Sequence, residues 1–219
     1  MAEHLHRQLH ELKQEIVYVG SLVEEALDKA LRALSSRNEL LAREVVEADE
    51  EINRMEVAVE EDCLRILALY QPVAMDLRFV VAVLKINNDL ERIGDLAKNI
   101  AKRVIYLSRA REVGVPSDFR EMARIAQHMV KQSLDALVTS NSNLARQVRG
   151  DDDKVDAIRD RISETMSARI QEHPEQIEVL MKLFSVARHL ERLADMATHI
   201  AEEVIYMVDG AIVRHRAGA

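Results

Sequence analysis

The sequence predicts an all-α protein made of two tandem three-helix bundles related by an internal duplication. Three observations carry that expectation. Gly (6) and Pro (3) are scarce among 219 residues, Trp is absent and aromatics make up 3%. Such a composition suits long helices packed by Leu, Ile, Val, Met and Ala, and leaves few turns for a sheet. The second observation is an echo at a spacing of one hundred residues: Leu90-Glu91-Arg92-Ile93-Gly94-Asp95-Leu96-Ala97 returns as Leu190-Glu191-Arg192-Leu193-Ala194-Asp195-Met196-Ala197. Each half is long enough to bury its own core. The third is periodicity. Apolar residues at 90, 93, 97, 100 and 104 recur at steps of three and four, the signature of a helix with one buried face.

Taken in order, the first helix is expected from about Leu5 to Leu34. Its seam is Leu5, Leu9, Leu12, Ile16, Val19, Val23, Leu27, Ala30 and Leu34, close to a heptad pattern. Ser35-Ser36-Arg37-Asn38 interrupts it, and Asn38 can cap the next helix. That helix runs through Ile52, Met55, Val59, Cys63, Ile66 and Leu67 to Tyr70-Gln71-Pro72, where proline ends it. A third helix follows, from about Val73 to Arg111. Residues 112–117, with Gly114 and Pro116, read as the linker, which places the first bundle at 1–112 and the second at 113–219. Ser117 or Asp118 is expected to cap the fourth helix, with Phe119, Met122, Ile125, Met129 and Leu137 on its inner side. Gly150 is expected to stop it. Asp151-Asp152-Asp153 then opens the fifth helix, where acids suit the positive end of the dipole. The fifth reaches His173-Pro174, and the sixth runs from about Glu175 to Val208.

Charge narrows the function classes. A formal net charge of −8 argues against a nucleic-acid binder, which needs a basic face to meet phosphates. Only the tail Arg214-His215-Arg216 looks locally basic. Cys63 is alone, so neither an intrachain disulfide nor a thiolate metal site is expected. The amino terminus lacks an apolar signal core, and the longest apolar run, 79–84, is too short to span a bilayer. A cytoplasmic protein is the expectation. The six glycines are isolated, so no phosphate loop is present, and no Ser or Cys sits in a nucleophile motif. No enzyme is expected.

Carboxylates concentrate at matching places. Glu91 and Asp95, and again Glu191 and Asp195, stand at i, i+4 on one helix face, where like charges repel by about a few tenths of a kcal/mol. Antiparallel helices joined by a tight turn place residues equally distant from that turn side by side. Asn53 and Glu91 each lie nineteen residues from Pro72, and Asp49 and Asp95 each lie twenty-three. Around Pro174, Asp156 lies eighteen before and Glu191 seventeen after, while Asp152 lies twenty-two before and Asp195 twenty-one after. Two acidic boxes result: Asp49, Asn53, Glu91 and Asp95 in the first half, and Asp152, Asp156, Glu191 and Asp195 in the second. Such clusters call for a compensating cation. Oxygen ligands on rigid helices suit hard ions such as Mg²⁺, Mn²⁺ or Ca²⁺, and carboxylate clusters also hold iron. The alternative is a solvated face bridged by Arg92, Lys98, Arg188 and Arg192.

The repeated Leu-Glu-Arg-(Ile/Leu)-(Gly/Ala)-Asp motif, with Ile100-Ala101 and Ile200-Ala201-Glu202-Glu203-Val204-Ile205-Tyr206, resembles the PhoU family. The resemblance covers nearly the whole chain. One Glu-xxx-Asp carries no information; two copies in this context are specific. The resemblance implies two three-helix bundles with metal clusters on the acidic faces, the ion being divalent or trivalent (Mg, Mn, Fe or Zn). It also implies a cytoplasmic accessory protein of the high-affinity phosphate transporter that represses the phosphate-starvation response. Its implied partners are the ATPase subunit of the phosphate ABC transporter, the membrane-bound sensor histidine kinase and a second copy of itself as a homodimer. Any association with the membrane would be through partners. Asn53 stands where the second box has Asp156, so the first cluster is expected to be the weaker.

Other residues have plainer readings. His199 extends Glu191-xxx-Asp195 by one turn and is read as a polar residue beyond the site. His6 and His10 are read as solvent-facing, Cys63 as a small buried hydrophobe, and Met122, Met129, Met166, Met181 and Met196 as core fillers. Arg78 is read as a salt-bridging residue. A ferritin-like di-iron enzyme also places carboxylates in a helical bundle, but it uses Glu-x-x-His pairs. The one Glu that lies three residues before a His is Glu3, before His6 at the amino terminus, so the two such pairs that fold needs are not present. A plain coiled-coil scaffold would not need matched boxes beside two proline turns.

Overall fold

The computed structural model describes residues 2–111 and 113–213. The helices are α1 (Ala2–Ser36), α2 (Glu39–Tyr70), α3 (Ala74–Arg109), α4 (Ser117–Thr139), α5 (Ser142–Glu172) and α6 (Ile177–Asp209), with a 3₁₀ turn, Pro174–Gln176, before α6. No strand occurs among the described residues. α1, α2 and α3 form one bundle and α4, α5 and α6 the other; each packs all three of its helices against one another.

The halves are joined along α3 and α6, and more lightly along α1 and α4. α3 and α6 are antiparallel. Lys85 Nζ lies 3.2 Å from Glu203 Oε2 near one end, and Arg103 Nε donates to Ser185 Oγ at 3.2 Å near the other. Lys85 stands over the Tyr206 ring and Lys182 over Tyr106, so the echo in sequence becomes an approximate two-fold in space. Leu90, Ile93, Ala97, Ile100 and their counterparts Leu190, Leu193, Ala197 and Ile200 are fully buried in one core that runs through both bundles. Burial on this scale, at about 25 cal/mol per Å² of apolar surface, is what holds helices of this length together.

Local signals behave as their chemistry dictates at most ends. Asn38 Oδ1 accepts from the Leu41 amide at 3.1 Å, and Gly210 takes a left-handed conformation just past α6 (φ 71°). Cys63 is buried and its thiol is pushed up to about 12, first by burial and then by neighbouring carboxylates, so it is an inert packing group. His6 and His10 are exposed.

Three expectations fail, each for a definable reason. Gly150 does not end a helix: α4 stops at Thr139, and α5 runs through Gly150. The real break is Ser140, left-handed at φ 50°, followed by Asn141, whose Oδ1 accepts from the amides of Asn143 and Leu144 at 3.1 Å. An isolated glycine costs a helix about 1 kcal/mol, and the buried residues on either side of it, Val148 and Val155, override that. Asp152 is therefore mid-helix, out of reach of the dipole's positive end. Ser117 and Asp118 cap nothing; α4 begins at Ser117 after Pro116, which presets the helical entry, and no side chain among the described residues caps it. Met181 is not a core filler: it is 51% exposed, while Met122, Met129, Met166 and Met196 are buried. The basic tail 214–216 lies outside the described residues.

Candidate functional site

The hairpin counting holds in space. In the first box Asp49, only 4% exposed, sits on α2 facing α3. Its Oδ2 receives Lys98 Nζ at 2.5 Å and Asn53 Nδ2 at 3.2 Å, while its Oδ1 is buried without a hydrogen-bond partner. Lys98 also lies 3.7 Å from Asp95. Glu91 completes the group, and its pKa is raised by burial, then by Asp95, Glu56 and Asp49. The Lys98 ammonium is raised by its hydrogen bond to Asp49. One lysine thus serves two of the three carboxylates.

The second box is arranged differently. Arg159 Nη1 donates to Glu191 Oε1 at 3.0 Å and lies 3.7 Å from Asp156. Asp195 is pushed up to about 6, by burial first and then by Glu191 and Asp152. Asp152 is raised by burial and by Asp156 and Asp153. Here the carboxylates outnumber their cation, and two are left facing one another.

The second box opens onto a cleft of about 680 Å³ between the bundles, shared with Lys85, Asp89, Arg92, His199 and Glu202. Arg92 pairs with Asp89 at 3.8 Å, and Arg149 with Glu202 at 3.6 Å. His199 Nδ1 lies 3.9 Å from Asp89 on α3, which raises its pKa. It faces the other bundle, across α3, so its neighbour is Asp89.

Sequence reasoning paired the acidic positions across each hairpin and named Lys98 as a bridging cation, but missed Arg159 and the burial of Asp49. The signal for Arg159 was present: it lies fifteen residues before Pro174, opposite Glu191 at seventeen after. Arg188 and Arg192 do not bridge the boxes; among the described residues neither takes part in an ion pair. Arg78 likewise has no carboxylate partner there, and its guanidinium lies beside Gly210.

Donor chemistry fits a hard cation: the boxes offer oxygen alone, and Asp49 Oδ1 is an orphaned buried acceptor. Among the described residues, however, no three His, Cys, Asp or Glu side chains stand as a ready ligand set. Lys98 and Arg159 instead stand against the carboxylates of the first and second box.

Comparison with known proteins decides the family. The family model described as the PhoU domain matches twice, at residues 16–104 and 119–204. The chain belongs to the PhoU family. It is 39% identical over 212 residues to the phosphate-specific transport system accessory protein PhoU homolog of Aquifex aeolicus, covering 97% of this chain and 96% of that one. It is 36% identical to the PhoU homolog of Pseudomonas aeruginosa, covering 98% and 89%. The crystal structure of PhoU from Pseudomonas aeruginosa superposes with a TM-score of 0.92 at 35% identity, covering 94% of this chain and 99% of that chain. The Streptococcus pneumoniae phosphate transport system regulatory protein PhoU gives 0.88 at 31% identity, over 95% and 99%. Both PhoU domains fall on the bundles that carry the boxes, and among the described residues no helix is long and apolar enough to cross a membrane.

Proposed function

We propose that this chain is a non-enzymatic negative regulator of phosphate uptake and of the phosphate-starvation response. It acts in the cytoplasm as a helical adaptor, docking on the ATPase subunit of a phosphate ABC transporter and on a sensor histidine kinase, as a homodimer reaching the membrane through those partners. The observation that carries this reading is whole-length membership of the PhoU family with both acidic boxes in place. Relatives named accessory proteins of the phosphate-specific transport system support it.

The adaptor binds metal through the same boxes. Asp49, Glu91 and Asp95, with the Asn53 amide, would hold the first ion, and Asp152, Asp156, Glu191 and Asp195 the second. A bound Mg, Mn, Fe or Zn ion supplies positive charge that cross-links α2 to α3 and α5 to α6. The chain's own contribution is competition: Lys98 and Arg159 neutralise the boxes when metal is scarce, and must swing out when it binds.

Two measurements test the two parts separately. Elemental analysis of untagged protein should give stoichiometric metal that falls in the Glu191→Ala, Asp195→Ala variant while helicity persists; unchanged metal content would refute the ligand assignment. Deleting the gene should switch on phosphate-starvation genes in phosphate-rich medium, and continued repression there would refute the regulatory role.

A further inference from the structure

The approximate two-fold gives the cleft beside the second box a counterpart beside the first. Shifting residues of that cleft by one hundred turns Lys85, Asn88, Asp89 and Arg92 into Ser185, Arg188, His189 and Arg192, and turns Asp195, His199, Glu202 and Glu203 into Asp95, Asn99, Lys102 and Arg103. The scaffold is the same and the charge is reversed. Where the cleft beside the second box pairs Lys85 with Glu203 and Arg149 with Glu202, its counterpart presents Lys102, Arg103, Arg188 and Arg192. Among the described residues none of these four is in an ion pair.

The cations converge. Arg103 Nε donates to Ser185 Oγ at 3.2 Å, and Ser185 Oγ lies 3.3 Å from His189 Nε2. His189 Nδ1 is buried with no hydrogen-bond partner. Burial depresses the basicity of that ring first, and the guanidiniums of Arg103, Arg192 and Arg188 stand close enough to depress it further. A chain of net charge −8 that gathers four uncompensated cations on one face needs a counter-charge there. Guanidinium forks with a neighbouring hydroxyl match the geometry and charge of a tetrahedral oxyanion.

We infer that the α3/α6 face formed by Lys102, Arg103, Ser185, Arg188, His189 and Arg192 binds a phosphate-type oxyanion. The anion is either free or the terminal group of a nucleotide. The three guanidiniums surround it, Ser185 donates its hydroxyl, and Lys102 closes the rim. This site does not depend on metal in the boxes or on the adaptor role, since it uses none of the box residues and its readout is binding alone.

The test is isothermal titration of the full chain with inorganic phosphate and, separately, with ADP, at constant ionic strength set by chloride. One site per chain is expected. Equal binding of both probes identifies the oxyanion itself, and tighter binding of ADP identifies the nucleotide. Arg103→Gln with Arg188→Gln should weaken the binding about tenfold or more. Arg188→Gln alone, at an exposed position that does not bear on folding, should weaken it measurably. Lys85→Gln, in the cleft beside the second box, should leave it unchanged. Failure of the parent protein to bind either probe overturns the inference. So does equal binding by the arginine variants, or a loss caused by Lys85→Gln.

Discussion

Asp49 and Asp152 occupy equivalent places in the two bundles and live under opposite conditions. Asp49 is buried with Lys98 against it; Asp152 is half-buried among other carboxylates, and the nearby cation, Arg159, is turned to Glu191 and Asp156. Duplication kept the helices and the positions of the acids, while their electrostatic partners diverged. A scaffold held by apolar burial tolerates such drift, because an exposed ion pair contributes about 0–1 kcal/mol. The burial of Asp49 makes the first box the exception.

The packing behind the boxes diverged in step. A methyl added at Gly94 would lie 3.2 Å from Ile52 Cδ1 and Cγ2, tighter than ordinary contact. In the second bundle Ala194 replaces Gly94, and Val155, one methylene smaller, stands at the place of Ile52 in the Asp-x-x-(Ile/Val)-(Asn/Asp) match. The small residues of the two motifs are therefore not interchangeable one at a time. Each is fitted to its partner.

The largest expected effect breaks the box comparison directly. Asp49→Ala should lower the unfolding free energy of metal-free protein at pH 7 by about 1–2 kcal/mol, because it removes the buried carboxylate against Lys98 and leaves that part-buried ammonium only Asp95, at 3.7 Å. Asp152→Ala should change it by less than about 0.5 kcal/mol, since it removes repulsion as well as solvation. Urea denaturation of both variants decides this; equal losses would dissolve the distinction. Next, Gly94→Ala should cost about 1 kcal/mol through overpacking against fully buried Ile52. The double variant with Ile52→Val should recover most of that, and a thermal-melt double-mutant cycle showing no coupling would refute the paired fit.

A smaller effect follows from Asp195. Its folded pKa of about 6 lies above the ordinary 3.8, so the folded state holds that proton more tightly than the unfolded chain does. Its charge therefore costs stability progressively as pH rises from about 4 to 6, and the full penalty persists above. Asp195→Asn should raise stability of metal-free protein at pH 7.5 by about 1 kcal/mol, after screening of a half-buried group is allowed for, and by nothing at pH 4. Denaturation at the two pH values checks it. Smallest are the helix caps: Asn141→Ala should cost about 1 kcal/mol, and Asn38→Ala somewhat less, because Asn141 serves two amides and Asn38 one. Equal melting shifts would remove that difference between the hairpins.

Much of this was legible in the sequence. The apolar stripe at 90, 93, 97 and 100, repeated at 190, 193, 197 and 200, specifies which face of α3 and α6 is buried, because helical spacing ties sequence position to direction. Two prolines and equal counting then bring Asp49 opposite the Glu91–Asp95 pair and Asp152 opposite the Glu191–Asp195 pair. Tertiary structure alone decided the rest. Gly150 stays helical because flanking buried valines outweigh a local propensity. Arg159, rather than Arg92, Arg188 or Arg192, joins Lys98 in reaching the boxes, because a long side chain's partner depends on the neighbouring helix it leans across. The opposed charges of the cleft and of the α3/α6 face at Arg103 and Arg192 appear only when α3 and α6 pair antiparallel, since that pairing sets residues from separate halves side by side. Local periodicity fixes what is buried; which charges meet is a long-range property of the packed chain.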